Sequence, residues 1–372
     1  MRILHVANHT IPCVGGIENA VWGSARVQSL EGHKVEIATF NTCTSGKSSL
    51  PTHEMKEDIL FHRFPQTKIS SFYRFPISWK FIALAQKADI VHVHGFGGWL
   101  DQLLVMRPFL PGKLVVTTHG GIFHTPHRHS LKKVYLGWLN RMGKGIDMLI
   151  CGSQNDYAQY PHIGKRQQVL LDGVLVESLL DLPTGKKSSN HLMFVGRLSE
   201  NKQVNRILDA LALLKKKHPK LKLHVVGEDW EGLQKGLETK TKQLGLEKNV
   251  TFHGKLSDAE LESIYLQSDF FVSASTYEGF GMSVIEAMAA GSTPILNAIP
   301  TFKEFVGEKS QRGWIVDFSD AEAASQMIEK AIRTPAKKLS SMQKNAREYA
   351  TQFDWNLVAK KQLDIYAELL HK

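Results

Sequence analysis

The sequence has no apolar run near the ~20 residues that a membrane-spanning helix requires, so the chain is not expected to cross a bilayer by itself. Cysteine is scarce. The 372 residues hold only Cys13, Cys43 and Cys151, widely spaced and odd in number. That count suggests a reducing compartment, and the spacing suits no metal. The N-terminus offers Arg2 and then a short stretch broken by His5 and Asn8, too short for a signal-peptide core and better read as a first strand. No internal repeat of about 20–50 residues recurs and no low-complexity tail is present, which excludes solenoids and disordered tails. These absences place the protein in the cytoplasm.

What is present is ordinary globular composition, with 42% hydrophobic and 22% charged residues. At roughly 100–200 residues per domain, the length implies two domains, each with its own core. The compositional oddity is a net charge of +10, which invites nucleic acid, an anionic membrane or a phosphate-bearing substrate. The excess is local: residues 1–180 hold 19 basic and 12 acidic side chains, a net +7 of that +10. Two stretches there have no acid. Between Asp58 and Asp89, Arg63, Lys68, Arg74, Lys80 and Lys87 alternate with Phe72, Tyr73, Phe75, Trp79 and Phe81. Between Asp101 and Asp147, Arg128, Lys132, Lys133, Arg141 and Lys144 surround Tyr135 and Trp138.

Short apolar runs recur with helical stretches between them. Ile3–Ala7, Val35–Phe40, Ile90–His94, Leu114–Thr118 and Met148–Cys151 read as buried parallel strands. Glu18–Leu30, after a Gly-Gly turn, has helical spacing. After LPTGKKSSN at 182–190, a linker by composition, the series restarts. Leu192–Val195, Leu221–Val226, Val250–His253, Phe270–Ser273 and Thr293–Leu296 read as strands, and Val204–Lys217, Asp258–Gln267 and Ser283–Ala290 as helices. The fold class is therefore α/β. Two Rossmann-like doubly wound domains are expected to face each other across a cleft that holds the site: 1–181, a linker at 182–190, 191–350, and a C-terminal helix at 351–372 packing back toward the first domain.

The most informative stretch is EGFGMSVIEAMAAG, Glu278–Gly291. Gly279 and Gly281 permit a tight turn, so the backbone N–H groups of Met282 and Ser283 can face an anion at a helix N-terminus. Glu278 in the turn and Glu286 one turn into the helix suit different hydroxyls of one extended ligand. A glycine turn before a packed Ala/Met helix fits the same local pattern. Upstream, a strand runs into Gly196-Arg197-Leu198, with Lys202 shortly after. Both cations leave a strand end where a nucleotide diphosphate would sit, Arg as a planar fork and Lys as a mobile charge.

The order Gly196-Arg197-Leu198, Lys202, then Glu278 and Glu286, resembles the family-4 glycosyltransferases of the GT-B fold, and the resemblance spans nearly the whole chain. Gly15-Gly16-Ile17-Glu18 resembles that family's glycine loop, His119 in Thr118-His119-Gly120 its active-site histidine, and Ile90–His94 its fourth strand region. The resemblance implies that Arg197 and Lys202 hold the donor pyrophosphate and that Glu278 contacts the donor sugar. It puts the Gly281, Met282 and Ser283 backbone near sugar and phosphate, and Glu286 on the ribose hydroxyls. The stretch from His253 through Gly254, Lys255 and Leu256 would flank the nucleobase. Gly15 and Gly16 would approach the phosphates, and His119 would sit near the reacting sugar. The family retains anomeric configuration.

Three departures stand out: Asp172-Gly173-Val174 where Asn-Gly-Val is usual, Lys202-Gln203 where Lys-Gly is usual, and Ile299–Glu304 in place of a Gly-Gly pair before Pro-Glu. The last lies near the expected donor sugar and leaves the hexose open. Many transferases hold a metal on Asp-x-Asp. The nearest match, Asp229-Trp230-Glu231, reads as a solvated loop. Metal-independent transfer with no cofactor is therefore expected, with cations and a helix N-terminus meeting the leaving-group charge. His92 and His94 read as core or strand-end histidines, and His124, His127 and His129 as part of an acceptor-side loop without metal spacing.

The expected activity is retaining transfer of a hexose (mannose, glucose or galactose type) from a nucleotide-diphosphate sugar to a glycan or lipid-linked acceptor. The enzyme would be cytoplasmic and peripheral on an anionic membrane face, where Lys, Arg and aromatic side chains meet lipid. The alternatives are a soluble transferase making a disaccharide or glucan, and a nucleotide-sugar epimerase. A nucleic-acid partner finds no motif to support it.

Overall fold

The computed structural model describes all residues except 14, 44–48, 69–73, 77, 121–128, 175, 184–187 and 372. The chain divides into two compact units, Met1–Val174 with Phe353–Lys372, and Leu175–Gln352. The division falls ahead of residue 181 because the short helix Glu177–Leu180 packs into the second unit, where Arg347 donates to the carbonyls of Leu180 and Leu182. Residues Ser188–Asn190, expected in the linker, already belong to a strand.

The first unit is built on β1 (Arg2–Val6), β2 (Lys34–Phe40), β3 (His53–Lys56), β4 (Ile59–Phe64), β5 (Ile90–His94), β6 (Lys113–Thr117), β7 (Met148–Cys151) and β8 (Gln167–Val169). Their order is β8-β7-β6-β5-β1-β2-β4-β3, parallel throughout except for the β3–β4 pair. Helices cover both faces, so the central strands bury nearly every side chain and read as continuous apolar runs. The edge strand β3, HEMK, is exposed along its length, and its charges guard an unpaired edge. Its polar sequence gives no strand signal, which is why the pattern misses it.

Four helices of this unit matter below: α1 (Gly16–Leu30), α2 (Trp79–Ala85), α3 (Gly98–Val105) and α4 (His129–Met142). The C-terminal helix Trp355–Leu370 belongs here as well, capped by the Asp354 carboxylate, which accepts from the Asn356 N–H at 2.6 Å. Its Trp355 indole lies against Gly23 and Gly173. A Cβ at either position would come within 2.4 Å of the ring, so only glycine permits the approach.

Two expectations need correction. Cys13 and Cys43 form a disulfide, leaving Cys151 free and buried. An odd count over wide spacing does not preclude a pair once Cys13, after β1, and Cys43, after β2, follow neighbouring strands. The basic-aromatic stretch also splits by burial. Arg63 is buried on β4 and pairs with Glu54 at 2.6 Å, and Phe81 is buried, whereas Trp79, Lys80 and Lys87 are exposed. Phe72 and Tyr73 lie outside the described residues.

The second unit carries β9 (Ser188–Val195), β10 (Lys222–Val226), β11 (Val250–Gly254), β12 (Ser268–Ser273), β13 (Thr293–Asn297) and β14 (Trp314–Val316), in the order β11-β10-β9-β12-β13-β14. All pairs are parallel. Leu192, Phe194, Phe270, Val272 and Ile295 form its core with Ile207, Leu208 and Leu211 of α5 (Val204–Leu214). Helix α6 (Asp258–Gln267) starts at a capping box, Ser257 and Glu260 each satisfying the other's backbone N–H. Where the ends of β9 and β10 meet, a Cβ on Gly227 would lie 1.9 Å from the Gly196 carbonyl oxygen. The turns that follow these strands therefore close in tightly, and one of them carries Arg197. Each unit is a Rossmann-like α/β layer, as the restart of the strand series implied.

Candidate functional site

In the second unit the strand ends and one helix N-terminus bring together most of the residues singled out above. Helix α7 (Met282–Ala289) starts after Gly281, whose φ of +90° is the left-handed conformation that glycine adopts without strain. The N–H groups of Met282 and Ser283 open that helix, so they have no acceptor within it and carry its positive pole. Lys202 leaves the short 3₁₀ turn Glu200–Lys202, and its ammonium lies 2.6 Å from the Glu278 carboxylate, both side chains largely buried. The two loops are fastened together by the Thr276 N–H on the Asn201 carbonyl at 2.9 Å and the Asn201 amide on the Tyr277 carbonyl at 3.2 Å.

The Arg197 guanidinium carbon lies over the Trp230 indole, 4.5 Å from the ring centroid, and Arg197 forms no ion pair among the described residues. A cation over the indole face is held there by the ring's quadrupole, and the guanidinium keeps N–H donors suited to phosphate. Glu286 lies half-buried one turn into α7, with the Tyr265 hydroxyl 3.3 Å away. Burial raises its carboxyl above the usual range, the tyrosine opposes this, and the charge of Asp258 adds to it. Gly254 ends β11 at φ +64°, followed by exposed Lys255 and half-buried Leu256. Asp229 and Glu231 are committed to local backbone: Asp229 accepts from the Leu233 and Gln234 N–H groups at 2.8 and 3.2 Å, and Glu231 from that of Glu200 at 2.8 Å. Both carboxylates thus cap the loop.

In the first unit, Gly15 precedes α1 and Gly16 opens it. A Cβ on Gly15 would meet the Glu18 carboxylate at 2.1 Å. His119 follows β6 with φ +45°, a strained value for a residue other than glycine. The turn is held by Asp156, which accepts from the Thr118 hydroxyl and, at 3.1 Å, from the Gly120 N–H. The His119 side chain is only 4% exposed, and both ring nitrogens are engaged: Nδ1 with Asp172 at 2.9 Å, and Nε2 with His94 Nδ1 at 2.9 Å. The contacts continue inward from His94 Nε2 to His5 Nδ1 at 2.9 Å and from His5 Nε2 to Gln28 Oε1 at 2.8 Å.

His5, His92 and His94 are the group among the described residues whose ligand atoms lie within 4.8 Å of one another. Every ring nitrogen of the three already meets another group, His92 meeting Tyr366 at 2.5 Å and Thr117 at 2.7 Å. The cluster is a hydrogen-bonded core, not an open metal cage. Burial holds the rings of His5, at about 4, and of His92 and His94 well below the ordinary histidine range.

Pattern reading gave no site role to Trp230, Tyr265, His5 and Gln28, and took His94 as a core or strand-end histidine. The alternation His92-x-His94 and the Asp172 departure were the available signals for the buried line. Of the acceptor-side loop, His124 and His127 lie outside the described residues, and the backbone of His129 begins α4.

Two family models match. "Glycosyltransferase Family 4" covers residues 14–170 and "Glycosyl transferases group 1" covers residues 183–349. The chain belongs to the family 4 glycosyltransferases. This glycosyltransferase is similar over its full length to the GDP-mannose:cellobiosyl-diphosphopolyprenol alpha-mannosyltransferase of Xanthomonas oryzae pv. oryzae, at 28% identity over 100% of this chain and 97% of that one. The protein of the same description from Komagataeibacter xylinus is 22% identical over 100% and 94%. Among solved structures, a glycosyltransferase from Rickettsia africae superposes with a TM-score of 0.79 at 22% identity, covering 99% of this chain and 98% of that one. Anabaena HepE in complex with UDP and glucose gives 0.76 at 20%, covering 99% and 100%. The fold of this glycosyltransferase is GT-B.

Proposed function

We propose that this glycosyltransferase moves a hexosyl group, mannose from GDP-mannose in the first instance, onto a glycan carried by a polyprenyl diphosphate, with retention and without a metal. The observation that carries the reading is the cluster in the second unit: Arg197 over Trp230, the Lys202–Glu278 pair at 2.6 Å, and the glycine-capped start of α7. As the glycosidic bond breaks, negative charge grows on the diphosphate. Arg197, Lys202 and the Met282 and Ser283 N–H groups supply preorganised positive charge there, an arrangement worth several kcal/mol of barrier. Glu278 orients Lys202 and accepts from sugar hydroxyls, and Glu286 accepts from the ribose. Gly254, Lys255 and Leu256 flank the base. For Gly15, Gly16 and His119 the family resemblance implies roles at the phosphates and the reacting sugar. The mannose and polyprenyl assignments lean on the full-length relatives, whose descriptions name both.

The acceptor side of the reading is supported by an apolar groove of about 600 Å³ in the first unit, lined by Phe75, Trp79 and Ile82, by Val105 and Met106, and by Tyr135 and Trp138. Trp79 is 81% exposed beside Lys80, and α4 exposes Leu131 and Val134 beside Lys133. Exposed aromatics next to cations suit a lipid interface. No helix among the described residues is long and apolar enough to cross a membrane, so contact would be peripheral.

A single assay tests the whole reading: labelled GDP-mannose or UDP-glucose, offered with a polyprenyl-diphosphate glycan in anionic vesicles or with the same glycan free in solution. Transfer from GDP-mannose to the vesicle-borne acceptor is expected. Arg197→Ala and Lys202→Ala should each lower kcat by about 10²-fold or more with an unchanged melting temperature, and Trp79→Glu should slow transfer on vesicles only. Near-normal kinetics in both cation variants would remove the site assignment. Preference for UDP-glucose or for the soluble glycan would replace the donor or the acceptor.

A further inference from the structure

The line from Asp172 to Gln28 can be counted in protons. It has four links, Asp172 to His119, His119 to His94, His94 to His5, and His5 to Gln28, each between 2.8 and 2.9 Å. Both ends are oxygen acceptors, a carboxylate and an amide carbonyl. Every link needs one hydrogen, and three neutral imidazoles carry three.

Gln28 is not free to supply the fourth. Its amide nitrogen donates to Ser24 Oγ at 2.9 Å and to Gln362 Oε1 at 3.0 Å, and the Ser24 hydroxyl donates to the same Gln362 oxygen. Turning Gln28 to donate toward His5 would set its oxygen against that of Gln362, so Gln362 would have to turn as well. These groups are buried, and an orphaned donor or acceptor there costs about 1–3 kcal/mol.

We propose that the line carries one proton more than three neutral rings, held on His119 against the Asp172 carboxylate, and that His94, His5 and Gln28 are positioning residues that keep it there. With His119 doubly protonated, each ring donates inward: His119 Nε2–H to His94 Nδ1, His94 Nε2–H to His5 Nδ1, and His5 Nε2–H to Gln28. Loss of the proton from His119 reverses the donor and acceptor roles of His94 and His5 and leaves His5 Nε2 facing Gln28 Oε1 with no hydrogen between them. His119 is thereby fixed as a cation with both N–H groups committed, so it acts by electrostatics and not as a base. Burial disfavours charge on His5 and His94, which leaves the acid-paired end as the place for it. The other charged or titratable groups packed here among the described residues are Asp156 beneath the Thr118–Gly120 turn, and His92 with Tyr366 behind His94. Asp172 is the carboxylate in direct contact.

The count does not depend on the donor or acceptor proposed above, and its test reads protons and not turnover. Full-length protein labelled with ¹⁵N-histidine should show, near neutral pH, one buried ring with both nitrogens protonated and two neutral rings joined to it by hydrogen-bond couplings. Asp172→Asn, which keeps an acceptor but removes the charge, should convert that ring to a neutral one. Gln28→Met, which removes the far acceptor at similar volume, should lower the doubly protonated fraction of that ring severalfold at the same pH. Three neutral rings in the wild-type protein would overturn the proposal. So would a doubly protonated ring that survives Asp172→Asn, or one whose fraction Gln28→Met leaves unchanged should Asp172→Asn fail to fold.

Discussion

Both units thread three histidines diagonally across three neighbouring parallel strands or their ends. In the first, His5 on β1 is level with His92, His94 lies two residues further along β5 and level with Thr117, and His119 lies two further beyond β6. In the second, His191 on β9 is level with Lys222, His224 lies two further along β10 and level with Thr251, and His253 two further on β11. The links are alike: 2.9 Å for both in the first unit, and 3.1 and 3.0 Å in the second. The ends differ. The first line is buried and ends on a carboxylate and an amide oxygen, whereas the second is partly exposed, lies near Lys222, and among the described residues meets no carboxylate. Two links among three neutral rings leave a proton to spare, so the second line is satisfied uncharged. A histidine ladder is thus a generic by-product of a parallel sheet. Its chemistry is set by what terminates it.

The largest expected difference between the lines lies in turnover. His119→Ala removes the terminal ring, and with it the charge proposed to act at the reacting sugar, and should reduce kcat by about 10³-fold at a KM for donor changed far less. Initial-rate kinetics over both substrates check this. A proportionate rise in KM with kcat intact would assign His119 to ground-state binding and bring the two ladders closer in role.

Stability against acid should separate them next. The pKa of His5 falls from its ordinary 6.5 to about 4 because burial penalises the charged ring. The unfolded chain therefore takes up the proton first as pH falls. This contribution to stability is complete above about pH 6.5 and is lost progressively down to about pH 4, amounting to ~3 kcal/mol for His5 alone. His224 is also depressed to about 4 by burial, then by His191, His253 and Lys222, but it is more open to solvent, so its share is screened and smaller. Hydrogen exchange measured across that range, corrected for intrinsic rates, should show β1, which carries His5, losing more protection than β10, which carries His224. Equal losses would mean that burial does not distinguish the lines.

Much of this was legible in the sequence, for reasons that vary by element. The strands Ile90–His94 and Met148–Cys151 and the helix Asp258–Gln267 match the pattern to the residue, because apolar continuity and the Ser257–Glu260 cap are local signals. The strand β3, its polar face outward, and the short β8 and β14 carry too little periodicity to be seen. In the site, Gly281 and the α7 start follow from glycine and chain order, and the structure adds the Lys202–Glu278 pair. Trp230 beneath Arg197 was beyond pattern, since the pairing joins loops after β9 and β10. The disulfide and the buried line share that limit. Both are made by residues distant in sequence that a parallel sheet brings side by side, and no local spacing announces them.

The smallest effect is the most exacting check on the contrast. His191→Gln removes the first ring of the second ladder and keeps a side chain able to hydrogen-bond His224. It lies at the opposite end of that diagonal from the β11 terminus, where Gly254 and Lys255 are proposed to flank the base. Because the second line needs no extra proton and ends on no carboxylate, the substitution should shift stability by no more than ~1 kcal/mol and leave kcat and the ¹⁵N signature of the first unit unchanged. Urea titration and the transfer assay measure these directly. A fall in kcat comparable to that of His119→Ala would show that the second diagonal also feeds the site, and that carboxylate termination is not what sets the two apart.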